Sequence, residues 1–253
     1  MVERFFSAPQ TDLHHAQSAP ILLLSGPPSS GKTSLLFQFA FNSALETHSS
    51  VSNNGKVVFL CNRRRLESKP PYLSQGIDPS SDIFHRIQMK YVDDDEGINK
   101  FFAAFHLHDK FPHTVIIDDF GDLFDERNCQ QRYNNPRGRD LAMVRILALC
   151  HNAIIHANET GPCKVLLSDT HHGDSPRLLF IYKRWISSIY TIKGDGSGSF
   201  LLKNNIYSGS ALSQRMRTCK ILHSSSISCF GRYYRRWRII ILLVDLFTQS
   251  ISF

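Results

Sequence analysis

The chain has 253 residues, 42% of them hydrophobic and 20% charged, which is an ordinary composition for a globular protein with one sizeable α/β core and extensions, or two small domains. The formal charge of +7 does not describe a basic core, because residues 209–253 hold seven Lys+Arg against one acidic residue and the rest holds 22 against 21; the basic character belongs to the tail. The six cysteines form no C-x-x-C pair, so neither a zinc site nor a redox motif is indicated, and their scatter fits a reducing compartment.

Residues 1–19 read as an irregular leader without the pattern of a secretory signal. Ile21-Leu22-Leu23-Leu24 is a short buried-strand run, and Ser34 to Ala40 reads as a helix. Between them, Gly26-Pro27-Pro28-Ser29-Ser30-Gly31-Lys32-Thr33 spells a complete phosphate-binding loop. Backbone N–H groups of such a loop wrap a β-phosphate, aided by the positive end of the following helix. Lys32 would reach the β- and γ-phosphates, and the Thr33 hydroxyl would hold Mg²⁺. Ser34 closes the cradle.

Thr47 to Gly55 ends the first helix, and Lys56 to Leu60 reads as a second strand. Arg63-Arg64-Arg65 to Pro79 reads as a turn-rich polar insert. Ile87, Met89 and Tyr91 alternate as on an edge strand. The acidic run Asp93 to Glu96 suits the start of a helix that buries Ile98, Phe101, Phe102 and Phe105. Thr114-Val115-Ile116-Ile117-Asp118-Asp119 has the form of a Walker B strand, an apolar run ending in carboxylates. It lies about 85 residues after the loop motif, and the two support each other. Asp118 would orient the water shell of Mg²⁺.

Cys129 to Asp140 reads as a loop, followed by a helix carrying Leu141, Val144, Ile146, Leu147 and Ile154 until Gly161-Pro162 breaks it. Lys164 to Ser168 is a further strand, ending in Asp169-Thr170-His171-His172. Two β-rich runs flank Lys193 to Gly198, a strong hairpin signal. The tail 208–253 reads as disordered or poorly packed, and as a variant gene end. Its Arg232 to Arg238 segment interleaves Arg with aromatics, a composition that suits single-strand contact or an anionic membrane surface. Its apolar run, Ile239 to Val244, is too short to span a bilayer as a helix, so no stable membrane insertion is expected.

The order of these pieces over residues 20–207 resembles the RecA/Rad recombinase superfamily and, within it, the small recombinase-paralogue ATPases that partner SWIM-type zinc-finger proteins. The carriers are Leu23 through Phe37, Val58-Phe59-Leu60 with Arg63 to Leu66, the Asp118 strand, and the hairpin from Ile189 to Leu202. The resemblance implies an α/β domain of RecA type, a mostly parallel sheet with helices on both faces and a C-terminal hairpin. It also implies that the Val165–Ser168 strand inserts between the loop strand and the Asp118 strand. ATP and Mg²⁺ would be the ligands, with Lys32, Asp118 and Asp119 as catalytic residues. The implied role is a nuclear accessory ATPase of homologous-recombination repair, working with a recombinase, a SWIM-domain partner and single-stranded DNA.

Three departures qualify it. The position of the water-activating glutamate is Arg63, a cation that cannot serve as a base, which leaves Asp119 as the substitute. The sensor glutamine is Thr170, which His171 could supplement; no spacing around His171-His172 indicates a metal site. The first DNA loop falls on Gln131 to Asp140, with Arg132, Arg137 and Arg139 as candidate phosphate contacts, while the second, Thr170 to Pro176, is short. Phe5 to Ala8 and Phe101 to Ala104 fit the Phe-x-x-Ala docking pattern, which is short enough to arise by chance. Two other classes remain open: a non-catalytic module in which ATP orders a partner interface, and a P-loop kinase with a lid at Arg63–Arg65.

Overall fold

Six runs of four to seven residues pair in parallel, the inner ones apolar and buried on both faces and the edge run at Ile87 alternating polar with apolar, as its sequence implies. In chain order the strands are β1 (Ile21–Gly26), β2 (Val57–Cys61), β3 (Ile87–Tyr91), β4 (Thr114–Ile117), β5 (Lys164–Thr170) and β6 (Ser188–Gly194). β7 (Ser199–Ile206) returns antiparallel to β6, as the hairpin signal requires. The sheet order is β3-β2-β4-β5-β1-β6-β7-β8-β9. β8 (Thr218–Ser224) and β9 (Arg238–Leu242) are two segments of the tail that continue the sheet antiparallel. This is an α/β fold with a mostly parallel sheet, and β5 sits between β1 and β4. The computed structural model describes residues 5, 20–49, 55–73, 77–78, 80–173, 176, 178–186, 188–194, 199–206, 218–224 and 238–242. The rest of the leader and of the 208–253 tail, including Arg232 to Trp237, lies outside the described residues.

Successive side chains of a strand point to opposite faces, and the two faces are covered by different helices. Ile21, Leu23, Val58, Leu60, Val115, Ile117, Val165 and Leu167 pack with α3 (Asp95–Ala103), α5 (Pro136–Asn158) and α6 (Leu179–Trp185). Leu22, Leu24, Val57, Phe59, Ile116 and Leu166 pack with Leu35, Leu36 and Phe39 of α1 (Lys32–Ser49). Phe5 joins that second core, its ring 5.0 Å from Phe39 and 5.5 Å from Tyr190. Phe101, the other Phe-x-x-Ala phenylalanine, is core.

Two local expectations are corrected. Arg63–Ser68 is a helix, α2, started by Asn62, whose side chain accepts from the Arg65 N–H, rather than part of a turn-rich insert. Cys129 to Asp140 is not a loop: α4 (Arg127–Tyr133) turns through Asn134, at φ 50°, directly into α5. Asn135 caps α5 through the Gly138 N–H and Pro136 occupies its first turn, the usual pairing at a helix start. Leu141 is exposed, while Ile146, Leu147 and Ile154 are buried. α5 is long and apolar enough to pass a length test for a bilayer span, and its buried side chains pack on the sheet.

Candidate functional site

β1 delivers the chain to the carboxyl edge of the sheet, where residues 27–31 turn it into α1. Two residues of that turn take left-handed backbone: Ser29 at φ 59° and Gly31 at φ 79°, the latter a conformation that glycine adopts without steric cost. The Leu35 N–H donates to the Gly31 carbonyl at 3.0 Å, so the helix starts immediately after the turn. Lys32 is 6% exposed, and its Nζ donates to the carbonyls of Gly26 at 3.2 Å and Pro27 at 3.0 Å. Burial lowers the pKa of that ammonium, opposed by the carboxylates of Asp119, Asp118, Asp122 and Asp169. Pro28 and Ser29 are exposed. Ser30 is fully buried and its hydroxyl has no partner among the described residues, a polar atom that a bound anion would satisfy. The Ser34 hydroxyl is engaged by the Tyr72 N–H at 2.9 Å.

Thr33, the first residue after that lysine, donates its hydroxyl to Asp118 Oδ2 at 2.8 Å. The other oxygen of Asp118 accepts from Ser168 Oγ at 2.7 Å. Ser168 comes from β5, and its hydroxyl also accepts the Asp119 N–H at 2.8 Å. The insertion of β5 between β1 and β4 therefore puts one serine against both carboxyl-bearing residues. Burial, and then the adjacent Asp119, push Asp118 up to about 6.

Asp119 has φ 51°, outside the regular strand region. The Asp118 N–H still pairs with Leu60 on β2, whereas the Phe120 N–H pairs with Ser168 on β5. The backbone changes partner across Asp119, and the residue is turned out of the ladder at the edge. Strain of this kind concentrates at functional sites. Thr170 Oγ1 lies 3.4 Å from Asp119 Oδ1. Burial, and then Asp122, raise the Asp119 pKa, with Lys32 and Arg65 opposing. Behind this edge, a Cβ on Gly121 would collide with the carboxylate of buried Asp169. His171 ties the carboxyl end of β5 to β1: its backbone N–H donates to the Gly26 carbonyl at 3.1 Å, and its Nδ1 is 2.6 Å from Ser25 Oγ.

Arg65, which the sequence offered only as part of a lid at Arg63–Arg65, instead joins the carboxylate edge. Its guanidinium spans three carboxylates, at 2.7 Å from Asp122, 2.6 Å from Glu126 and 3.8 Å from Asp119. Arg63, in the position of the expected glutamate, is exposed and paired with Glu67 at 2.8 Å. Within a run of three arginines, only the helical phase of α2 distinguishes the one that turns inward, and α2 buries no residue that would have revealed its phase.

The three arginines expected to contact DNA are in different situations. Arg132 pairs with Asp94 at 3.1 Å, with Asp95, and with Glu96 at 3.2 Å. Arg139 pairs with Asp125 at 2.6 Å. Arg137 is exposed at the start of α5. Two of the three are thus already neutralised by carboxylates. In the second loop, Asp174 and Ser175 lie outside the described residues.

No family model matches this chain, and a search of curated proteins finds no significant match.

Proposed function

We propose that this chain is a RecA-type ATP-binding protein that hydrolyses ATP slowly and serves as a nuclear accessory factor in recombination repair, with a recombinase, a SWIM-type zinc-finger protein and single-stranded DNA as partners. The observation that carries the nucleotide reading is the hydrogen bond of 2.8 Å between Thr33 and Asp118, beside the buried Lys32. A hydroxyl and a carboxylate on neighbouring elements make a two-oxygen set, which suits Mg²⁺ held mainly by phosphate oxygens and water. When bound there, the ion would supply charge neutralisation between the phosphates. Lys32 binds the phosphates, Asp118 holds the metal's hydration shell, and Asp119 takes a proton from water with a pKa raised by burial.

The RecA assignment is supported by the strand order, in which β5 separates β1 from β4; the repair role and the partners rest on the resemblance of the sequence motifs alone. The non-catalytic reading rests on a specific contact: Arg65 reaches to 3.8 Å from Asp119, and a cation beside a base lowers its basicity.

Phosphate release by the purified chain, with and without a single-stranded oligonucleotide, tests the proposal. Turnover that is lost in Lys32→Ala and in Asp119→Asn is the expected result. Nucleotide binding without turnover in the unmutated chain leaves the interaction module. No nucleotide binding at all overturns both.

A further inference from the structure

We propose that a cleft of about 410 Å³ between α2 and the start of α4 is a subsite for the phosphate groups of a single-stranded nucleic acid; this rests on the strand-binding part of the proposed function and relocates it. Arg64 and Arg127 face this cleft from its two sides. Both are exposed, and neither pairs with a carboxylate among the described residues. That distinguishes them from Arg132 and Arg139, whose guanidinium groups are held by Asp94, Asp95, Glu96 and Asp125. An arginine that must give up an existing ion pair gains little from a phosphate; an unpaired one gains the full interaction.

The rest of the lining fits the same ligand. Asn62 and Asn128 add side-chain amides that donate to phosphate oxygens. The inner wall is Arg65 with Glu126, which neutralise each other at 2.6 Å. The remaining charge is two arginines against Asp93. Two residues before Asp93, the Tyr91 ring is 51% exposed, and the guanidinium carbon of Arg63 lies 5.4 Å from its centroid. Tyr91 lines the neighbouring hollow rather than the cleft, so a strand whose phosphates sit between Arg64 and Arg127 can reach past Asp93 to stack a base on its exposed ring; a glutamate side chain cannot, which favours a nucleic-acid strand over an acidic peptide. The cleft also lies one side chain from Asp119, through Arg65, so a strand lodged there abuts the carboxylate edge of the nucleotide site.

The test is anisotropy of a labelled thymidine oligonucleotide with the full chain, in ATP and Mg²⁺, at graded salt. Each lost phosphate contact removes about 0.7 from the log–log salt slope for a single strand. The Arg64→Ala/Arg127→Ala double variant should therefore lose about 1.4 of slope and bind roughly twentyfold more weakly at about 0.1 M salt. Tyr91→Ala should weaken binding with the slope unchanged, and Arg137→Ala should change affinity less than twofold. A melting curve matching the unmutated chain shows that the double variant is folded; a double variant that unfolds is replaced by Arg64→Gln/Arg127→Gln with the same expectation. Unchanged slope in a folded double variant, with strand binding intact in the unmutated chain, overturns the cleft and leaves the proposed function standing. Displacement of the strand by poly-glutamate as effective as by unlabelled strand makes the cleft an acidic-peptide site and overturns the assignment. No strand binding by the unmutated chain sinks the cleft and the DNA part of the proposed function together.

Discussion

The Asp118 carboxyl group is buried and accepts two hydroxyl donors, from Thr33 and Ser168. Those donors favour the ionised form, but burial and the neighbouring Asp119 outweigh them and leave the group at about 6, against roughly 3.9 in an unfolded chain. Below about pH 4 the group is protonated in both states and contributes nothing to pH dependence. Between about 4 and 6 the unfolded chain gives up its proton first, so stability declines as pH rises, by on the order of 3 kcal/mol across the window. A divalent cation beside the carboxylate reverses the penalty, because it binds the ionised form. Urea unfolding of the nucleotide-free chain should show this decline with pH, and the stabilisation by Mg²⁺ with ATP should shrink as pH falls through about 6. Asp118→Asn should flatten both trends. If the asparagine variant keeps the same pH slope as the parent, the carboxyl group is not the one titrating there.

The pairing of α4 with α3 shows what a charge pattern can and cannot disclose about an element. Arg132 on α4 is bonded to Asp94, Asp95 and Glu96, the residues that start α3. Asp94 also caps α3 through the N–H groups of Glu96 and Gly97. The acidic run was readable as a helix start, because caps and dipole charges act locally. Its pairing with an arginine 37 residues away was not, since no local rule specifies it. Likewise Asn135-Pro136 is as good a turn signal as a helix start, and packing against α3 decides in favour of helix. The buried strands were legible for the opposite reason, since their short length and the turn residues that flank them, both local features, separate them from helices. Arg132→Ala would leave Asp95, whose side chain is 3% exposed, without its cation. The expected cost is about 2 kcal/mol, below the range for a fully buried pair because the arginine is one-third exposed. Arg137→Ala, in the next helix, should cost less than about 0.5 kcal/mol. Equal urea midpoints for the two variants would mean that the acidic cluster is solvated rather than paired.

At the scale of the molecule, the sheet order turns separate motifs into one site. The Gly26–Thr33 turn and the Asp118 strand were each readable in sequence, as was the serine on β5; their meeting depends on β5 entering between β1 and β4. What stayed hidden was the third side of the site, where Arg65, Asp122 and Glu126 close over Asp119 through contacts between a helix and a 3₁₀ turn. A nucleotide gripped by Lys32 and Thr33 on α1 and by Asp118 beyond β4 would bridge elements that belong to both cores. It would therefore stabilise the whole fold and not only the loop. At a hundredfold excess over its Kd a ligand adds about 2.7 kcal/mol, which for a chain of this size raises the melting temperature by about 5–11 °C. ATP with Mg²⁺ should produce a shift of this order in the unmutated chain. Lys32→Ala removes a charged donor to the phosphates, worth about 2 kcal/mol, and should reduce affinity about thirtyfold and most of the shift with it. Asp119→Asn, which alters proton transfer and not phosphate grip, should keep the full shift while turnover falls. A Lys32→Ala variant that melts with the same nucleotide-dependent shift as the parent would place the nucleotide somewhere other than this loop.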